Sequence, residues 1–121
     1  MTRKTRMGKT RDALSLLGLA RRAGQVAGGT EAVRQAVRDG RAALVIMATD
    51  ASETQLDKIR STIHNRTIPQ VYLGDRNTLG SAIGSAPLAA VAVTSTSLAD
   101  RLLEEIGKVG GGSPDESEAY R

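Results

Sequence analysis

The residues best placed to do chemistry are Gly28, Gly29, Thr30 and Glu31, followed by Arg34, Gln35 and Arg38. A double glycine in front of a helix lets backbone come close to a ligand. The first N–H groups of the helix have no partner inside it and can hold an anion such as phosphate. The glycine turn alone is unspecific, because many helices begin after glycine. Glu31, Arg34, Gln35 and Arg38 share one side of the helix and offer carboxylate, guanidinium and amide groups to a polar ligand. The spacing of Glu31 and Arg34 equally predicts an i,i+3 surface ion pair, worth a few tenths of a kcal/mol.

Other chemistries find little support. The chain has no cysteine, which excludes disulfides, thiol nucleophiles and Cys-ligated metals. The one histidine, His64, falls at a polar helix end, where a surface residue is the simpler reading than a general base. No G-x-S-x-G elbow and no G-x-x-x-x-G-K-[ST] loop occurs, and Gly24, Gly28 and Gly29 do not have G-x-G-x-x-G spacing. Asp50 follows an apolar run, a common place for catalytic acids in α/β folds, but a cap on the turn at Ser52 is the simpler role. No catalytic residue, cofactor or metal is expected, and the chain is read as not an enzyme.

The elements that must position these residues alternate in type. Residues 12–23 have helical spacing at Leu14, Leu17 and Ala20, with Ala13 and Leu16 beside them. Arg21 and Arg22 suit the C-terminal end of that helix dipole, and Gly24 closes it. Residues 25–27 can form a short edge strand. The helix from Thr30 buries Ala32, Val33, Ala36 and Val37 and stops at Gly40. Residues 42–48 (AALVIMA) show no alternation, as expected of a strand covered on both faces.

Ser52 and Gln55 have capping-box spacing before a helix that turns Leu56, Ile59 and Ile63 inward. That helix ends at residues 64–67, and Pro69 leads into a strand at 70–73. Asp75 can cap a short helix carrying Leu79, Ala82 and Ile83, closed by Gly84. Residues 85–87 form a loop before a strand at 88–93 (LAAVAV). Residues 95–97 cap a last helix with Leu98, Leu102, Leu103 and Ile106 on one side, ending at Gly107. Helices alternating with short buried strands give an α/β fold, a three-layer α/β/α sandwich with a small mixed sheet. The expected organisation is a disordered basic arm at 1–10, one domain at 11–107 and a flexible acidic tail at 108–121.

The 121 residues carry a net charge of +4, and the distribution is uneven. Arg3, Lys4, Arg6, Lys9, Arg11, Arg21 and Arg22 crowd the start, and Glu104, Glu105, Asp115, Glu116 and Glu118 crowd the end. A basic arm points to a polyanion, most often nucleic acid, held through phosphate contacts and counterion release. With no Phe or Trp and only two Tyr, the chain cannot build the stacking platform of an RRM, OB-fold or cold-shock domain. What remains is a glycine turn, a polar and basic helix start and an apolar loop. That surface suits a structured RNA whose bend or bulge exposes base edges.

Several segments in the same order, LGLARRAGQVAGG, the spacing from Gly29 to Gly40, ALVIMATDAS, IPQVYLG, TLGSAIG and PLAAVAV, resemble ribosomal proteins of the L-seven-A-e type, and within it the small bacterial YlxQ-like branch. The similarity runs from about Leu14 to Ile106. The resemblance implies an α/β/α sandwich that binds kink-turn RNA through the start of the helix after the glycine turn and the loop before the last strand. Family members often show G-T-N-E-x-x-K at that helix start. Here Gly29 and Thr30 match, Glu31 stands for Asn, Ala32 for Glu, and Gln35 for Lys with Arg34 beside it. Pro87, Leu88 and Ala89 match the apolar loop in type.

The expected RNA-binding residues are therefore Gly28, Gly29, Thr30, Glu31, Arg34, Gln35, Arg38, Pro87, Leu88 and Ala89. The expected partner is RNA, ribosomal or otherwise structured, with the ribosome as a possible assembly. No apolar stretch approaches the ~20 residues of a membrane span, and a cytoplasmic monomer is expected. Two alternatives belong to other classes: an accessory protein–protein module, and the RNA-recognition subunit of an RNA-modifying enzyme.

Overall fold

The structure, a computed structural model, describes the backbone of residues 2–108 and the side chains of residues 11–107. Within these residues five helices and four strands alternate: α1 (Thr2–Arg22), β1 (Val26–Gly28), α2 (Thr30–Arg38), β2 (Leu44–Met47), α3 (Glu53–Ile63), β3 (Gln70–Tyr72), α4 (Arg76–Ala82), β4 (Ala90–Val93) and α5 (Thr96–Lys108). The strands form one sheet in the order β1-β4-β2-β3. β4 pairs antiparallel with both β1 and β2, whereas β2 and β3 are parallel and joined through α3.

Every residue of β2 and β4 is buried, because helices cover both faces. The side chains alternate between two cores. Leu44, Ile46, Val91 and Val93 face α1, α4 and α5, among Ala13, Leu17, Leu79, Ala99, Leu102 and Ile106. Val45, Met47, Ala90 and Ala92 face α2 and α3, among Val33, Ala36, Val37, Leu56, Ile59 and Ile63. The expected three-layer α/β/α sandwich with a mixed sheet is thus the observed architecture. Ala90 and Ala92 have no bulk beyond Cβ, so α2 lies close on β4. This brings its first turn beside the loop that enters β4.

The caps follow the local sequence. Ser52 Oγ accepts from Gln55 N–H at 3.1 Å while Gln55 Oε1 accepts from Ser52 N–H at 3.4 Å, completing the capping box. Asp75 Oδ1 accepts from Thr78 N–H at 2.8 Å at the start of α4. Gly24, Gly40 and Gly84 all have positive φ just past the ends of α1, α2 and α4.

Four expectations change. Residues 2–10 belong to α1 rather than to a separate disordered arm. That stretch has no proline, and its Lys, Arg and Met are good helix formers, which offset its threonines and Gly8. Ala32 is exposed, because the buried stripe of α2 is Val33, Ala36 and Val37, at i, i+3 and i+4. On α1 the buried stripe is Ala13, Leu17 and Ala20, with Leu14 at its margin. Asp50 does not cap the Ser52 turn; its Oδ1 accepts from Arg76 N–H at 2.9 Å and its Oδ2 lies 3.5 Å from Arg76 Nε. The Ser52 turn is already satisfied by its own capping box, which leaves Asp50 for α4. The tail expected at 108–121 lies outside the described residues except for Lys108, the last residue of α5.

Candidate nucleic-acid interface

The glycine turn is built for close approach at two successive positions. Gly29 has φ 101° and ψ 155°, a conformation that L side chains rarely adopt, and it stands as N-cap of α2 without a side-chain cap. Its N–H donates to Ala90 O at 2.9 Å, which ties the turn to β4. With no side chain capping the first turn, N–H groups at the start of α2 stay open to a ligand, at the positive end of the helix dipole. Gly28 lacks a positive φ but is closely seated: a Cβ there would lie 2.8 Å from Ile83 Cδ1 and 3.0 Å from Leu88 Cδ1, side-chain tips that would have to shift. On Gly29 a Cβ would lie 3.8 Å from Leu88 Cδ2. The loop between α4 and β4 therefore rests directly on the glycine turn.

The loop is itself held from behind. Leu88 N–H donates to Arg76 O at 3.1 Å and Ser85 N–H to Gly80 O at 2.7 Å. Gly80 is buried, and a Cβ there would collide with the backbone carbonyl of Ala86. Pro87 is exposed and Leu88 half-buried, so both offer apolar surface at the rim. Ala89, expected to share this role, is only 5% exposed. Its carbonyl accepts from Ala48 N–H at 2.8 Å at the head of the sheet, so its side chain is scaffold and gives a ligand almost nothing to touch.

On α2 the polar residues divide by environment. Thr30 opens the helix half-buried, and its Oγ1 is buried with no hydrogen-bond partner. Glu31 is exposed and pairs with Arg34 at 3.1 Å, the i,i+3 pair that the spacing allows. Arg34 is not a free surface cation. Its Nε donates to Thr62 Oγ1 of α3 at 3.0 Å, and its side chain is 22% exposed. Thr62 in turn donates to Lys58 O at 2.8 Å, which orients its oxygen toward Arg34. The guanidinium is thereby fixed in direction, with part of its donor edge left open. Thr62 carries no signal in the sequence, because it sits on another helix, 28 residues away.

Gln35 is exposed one turn after Glu31, and its Nε2 donates to Asp39 Oδ1 at 2.9 Å. Arg38 is exposed with no ion pair among the described residues, but it is the last residue of α2. At 1.5 Å per residue that places it about 12 Å along the axis from Thr30. The structure thus gathers Gly28, Gly29, Thr30, Glu31, Pro87 and Leu88 in one place, sets Arg34 and Gln35 one turn further on, and leaves Arg38 at the far end.

The arrangement offers hydrogen-bond donors of fixed direction beside a small apolar shelf. It has no nucleophile next to a base. No group of His, Asp and Glu among the described residues is disposed to hold a metal ion. No helix among them is long and apolar enough to cross a membrane.

The chain is similar to several known proteins. A Bacillus subtilis protein, the RNA-binding protein YlxQ, is 35% identical over 88 residues, which cover 73% of this chain and 88% of that protein. The large ribosomal subunit protein eL8 of Thermoplasma volcanium is 28% identical over 95 residues, 78% of each chain. Among solved structures, a Bacillus halodurans protein of unknown function superimposes with a TM-score of 0.74 at 36% identity, over 78% of this chain and 96% of that one. The fold is shared with a Giardia lamblia 15.5kD RNA binding protein, at TM-score 0.67 and 23% identity, over 85% of this chain and 88% of that one. Residues 11–102 match the model of one family, and the chain belongs to it: the ribosomal protein L7Ae/L30e/S12e/Gadd45 family.

Proposed function

We propose that this protein is a non-catalytic, ribosome-associated RNA-binding protein that recognises structured, kink-turn-like RNA. The observation that carries the reading is the seating of the loop before β4 on the Gly28-Gly29 turn, beside the open first turn of α2. It is supported by relatives named as an RNA-binding protein and as a ribosomal subunit protein. The N–H groups of the first turn approach the RNA backbone, where the helix dipole favours phosphate. Glu31, Arg34 and Gln35 hydrogen-bond base edges or phosphate, with Arg34 aimed by Thr62. Pro87 and Leu88 pack against an unstacked base.

Base edges are read in this way where RNA is bent or bulged, because the grooves of a regular A-form helix hide them or offer little sequence information. A bent RNA also leaves a base free to rest on the apolar shelf.

The test is a gel shift of the full chain on a kink-turn RNA, with an unbent duplex of equal length as the comparison. Replacing both Arg34 and Gln35 by Ala should weaken binding by about tenfold or more, because a charge-assisted hydrogen bond contributes roughly 1.5–3 kcal/mol. The circular dichroism spectrum should not change. An equal shift for the double variant, or equal affinity of the wild type for bent and unbent RNA, contradicts the assignment.

A further inference from the structure

The far side of the loop before β4 is closed by α1, and one arginine stands there. α1 packs against α4 at Gly18, where a Cβ would lie 3.0 Å from Ala82 O. Leu14 joins Thr78, Ser81 and Ala82 along the same seam. Residues 14, 18 and 21 are spaced i, i+4, i+7, so the seam that holds Leu14 and Gly18 carries Arg21 to its end. There the Arg21 guanidinium lies against Gly84. Its carbon is 3.8 Å, and both terminal nitrogens are 3.9 Å, from the position a Cβ on Gly84 would occupy. Gly84 has φ +69° and precedes the loop; Ile83 before it touches the glycine turn. A chain of contacts therefore runs from Gly28, through Leu88 and the buried Ile83, to Gly84 and Arg21; its exposed strip is residues 84–88 with Arg21.

Charge along this strip is sparse. Residues 84–89 carry none. Arg76 behind the loop is engaged by Asp50, and Asp75 by the Thr78 N–H. Arg21 is exposed and makes no ion pair among the described residues. An exposed guanidinium without a carboxylate, lying against Gly84 at the start of the uncharged segment that carries the apolar shelf, matches a phosphate next to a base resting on that shelf.

We propose that Arg21 is a phosphate-contacting residue that extends the RNA interface from α2 and the loop onto the end of α1. The proposal rests on the RNA reading above. Arg22, the next residue, serves as an internal comparison. It points about 100° around α1 from Arg21, into a depression between α1 and α5 with Leu16, Leu19, Arg101 and Glu105.

The test measures affinity of the full chain for a kink-turn RNA across a salt series. Arg21→Gln should weaken binding several-fold at low salt and reduce the slope of log K against log salt by about one, as expected for one lost phosphate contact. Arg21→Lys keeps the charge and should keep the slope. Arg22→Gln should leave it unchanged. A purely structural role at the helix end would lower the thermal midpoint without moving the slope. A wild-type slope for Arg21→Gln, or an equal loss in Arg22→Gln, overturns the proposal and leaves the RNA reading standing. No binding of RNA by the wild type overturns both.

Discussion

At the scale of single residues, the two glycines of the turn serve it for different reasons. Gly29 is held in a region of backbone space that only glycine occupies without strain, and its N–H is fixed to β4. Gly28 is limited by space, since a side chain would meet the tips of Ile83 and Leu88. Gly29→Ala is therefore expected to cost about 1–3 kcal/mol of stability, the range for a side chain forced into such a conformation. Urea unfolding followed by circular dichroism checks this, and a variant as stable as the wild type would contradict it. The turn was legible in the sequence as a doublet before a helical pattern. The environment of Arg34 was not, because its partner Thr62 belongs to another helix. Ala89 is buried, which the sequence does not reveal, because a small apolar residue reads the same at a rim as in a core.

At the scale of elements, one short helix with a strong cap, α4, holds the loop of the interface. α4 has seven residues and supplies both the carbonyls and the close seat at Gly80 that shape the loop. Its N-cap, Asp75, accepts the Thr78 N–H, and that bond holds the carboxyl below the usual carboxylate range. A carboxyl whose pKa is depressed on folding stabilises the fold fully above its unfolded value, about 4. The contribution disappears as pH falls from there through the folded value. Asp75→Asn should lower the urea midpoint at pH 7, and the gap to the wild type should narrow as pH falls below about 4, the unfolded value. A gap that is constant with pH would show that the charge at the cap is irrelevant. Both caps, Ser52 and Asp75, were readable because a capping bond spans three residues. The partner of Asp50 lies 26 residues away, so local spacing led to the wrong turn.

At the scale of the whole molecule, the sheet separates a scaffold from a working edge. α1, α4 and α5 cover one face and α2 and α3 the other, and the loop before β4 meets the start of α2 where the layers end. The layers were legible, because unbroken apolar runs such as residues 42–48 can only be strands covered twice. The strand order was not. β1 to β4 have three or four residues each, and an all-apolar strand carries no alternation to set its partner or register. The strip from Glu31 past Leu88 to Arg21 depends on that order. It exists because β4, entered from the loop, pairs with β1, which leads into the glycine turn. The most direct test of the account is amide chemical-shift mapping of the full chain during titration with a kink-turn RNA. The account predicts shifts concentrated at residues 28–35 and 84–88, spreading to Arg21 and to Thr62 beside Arg34, with the rest of α3 and the outer face of α5 quiet. Shifts centred on α3 or α5, with the glycine turn unmoved, would contradict it.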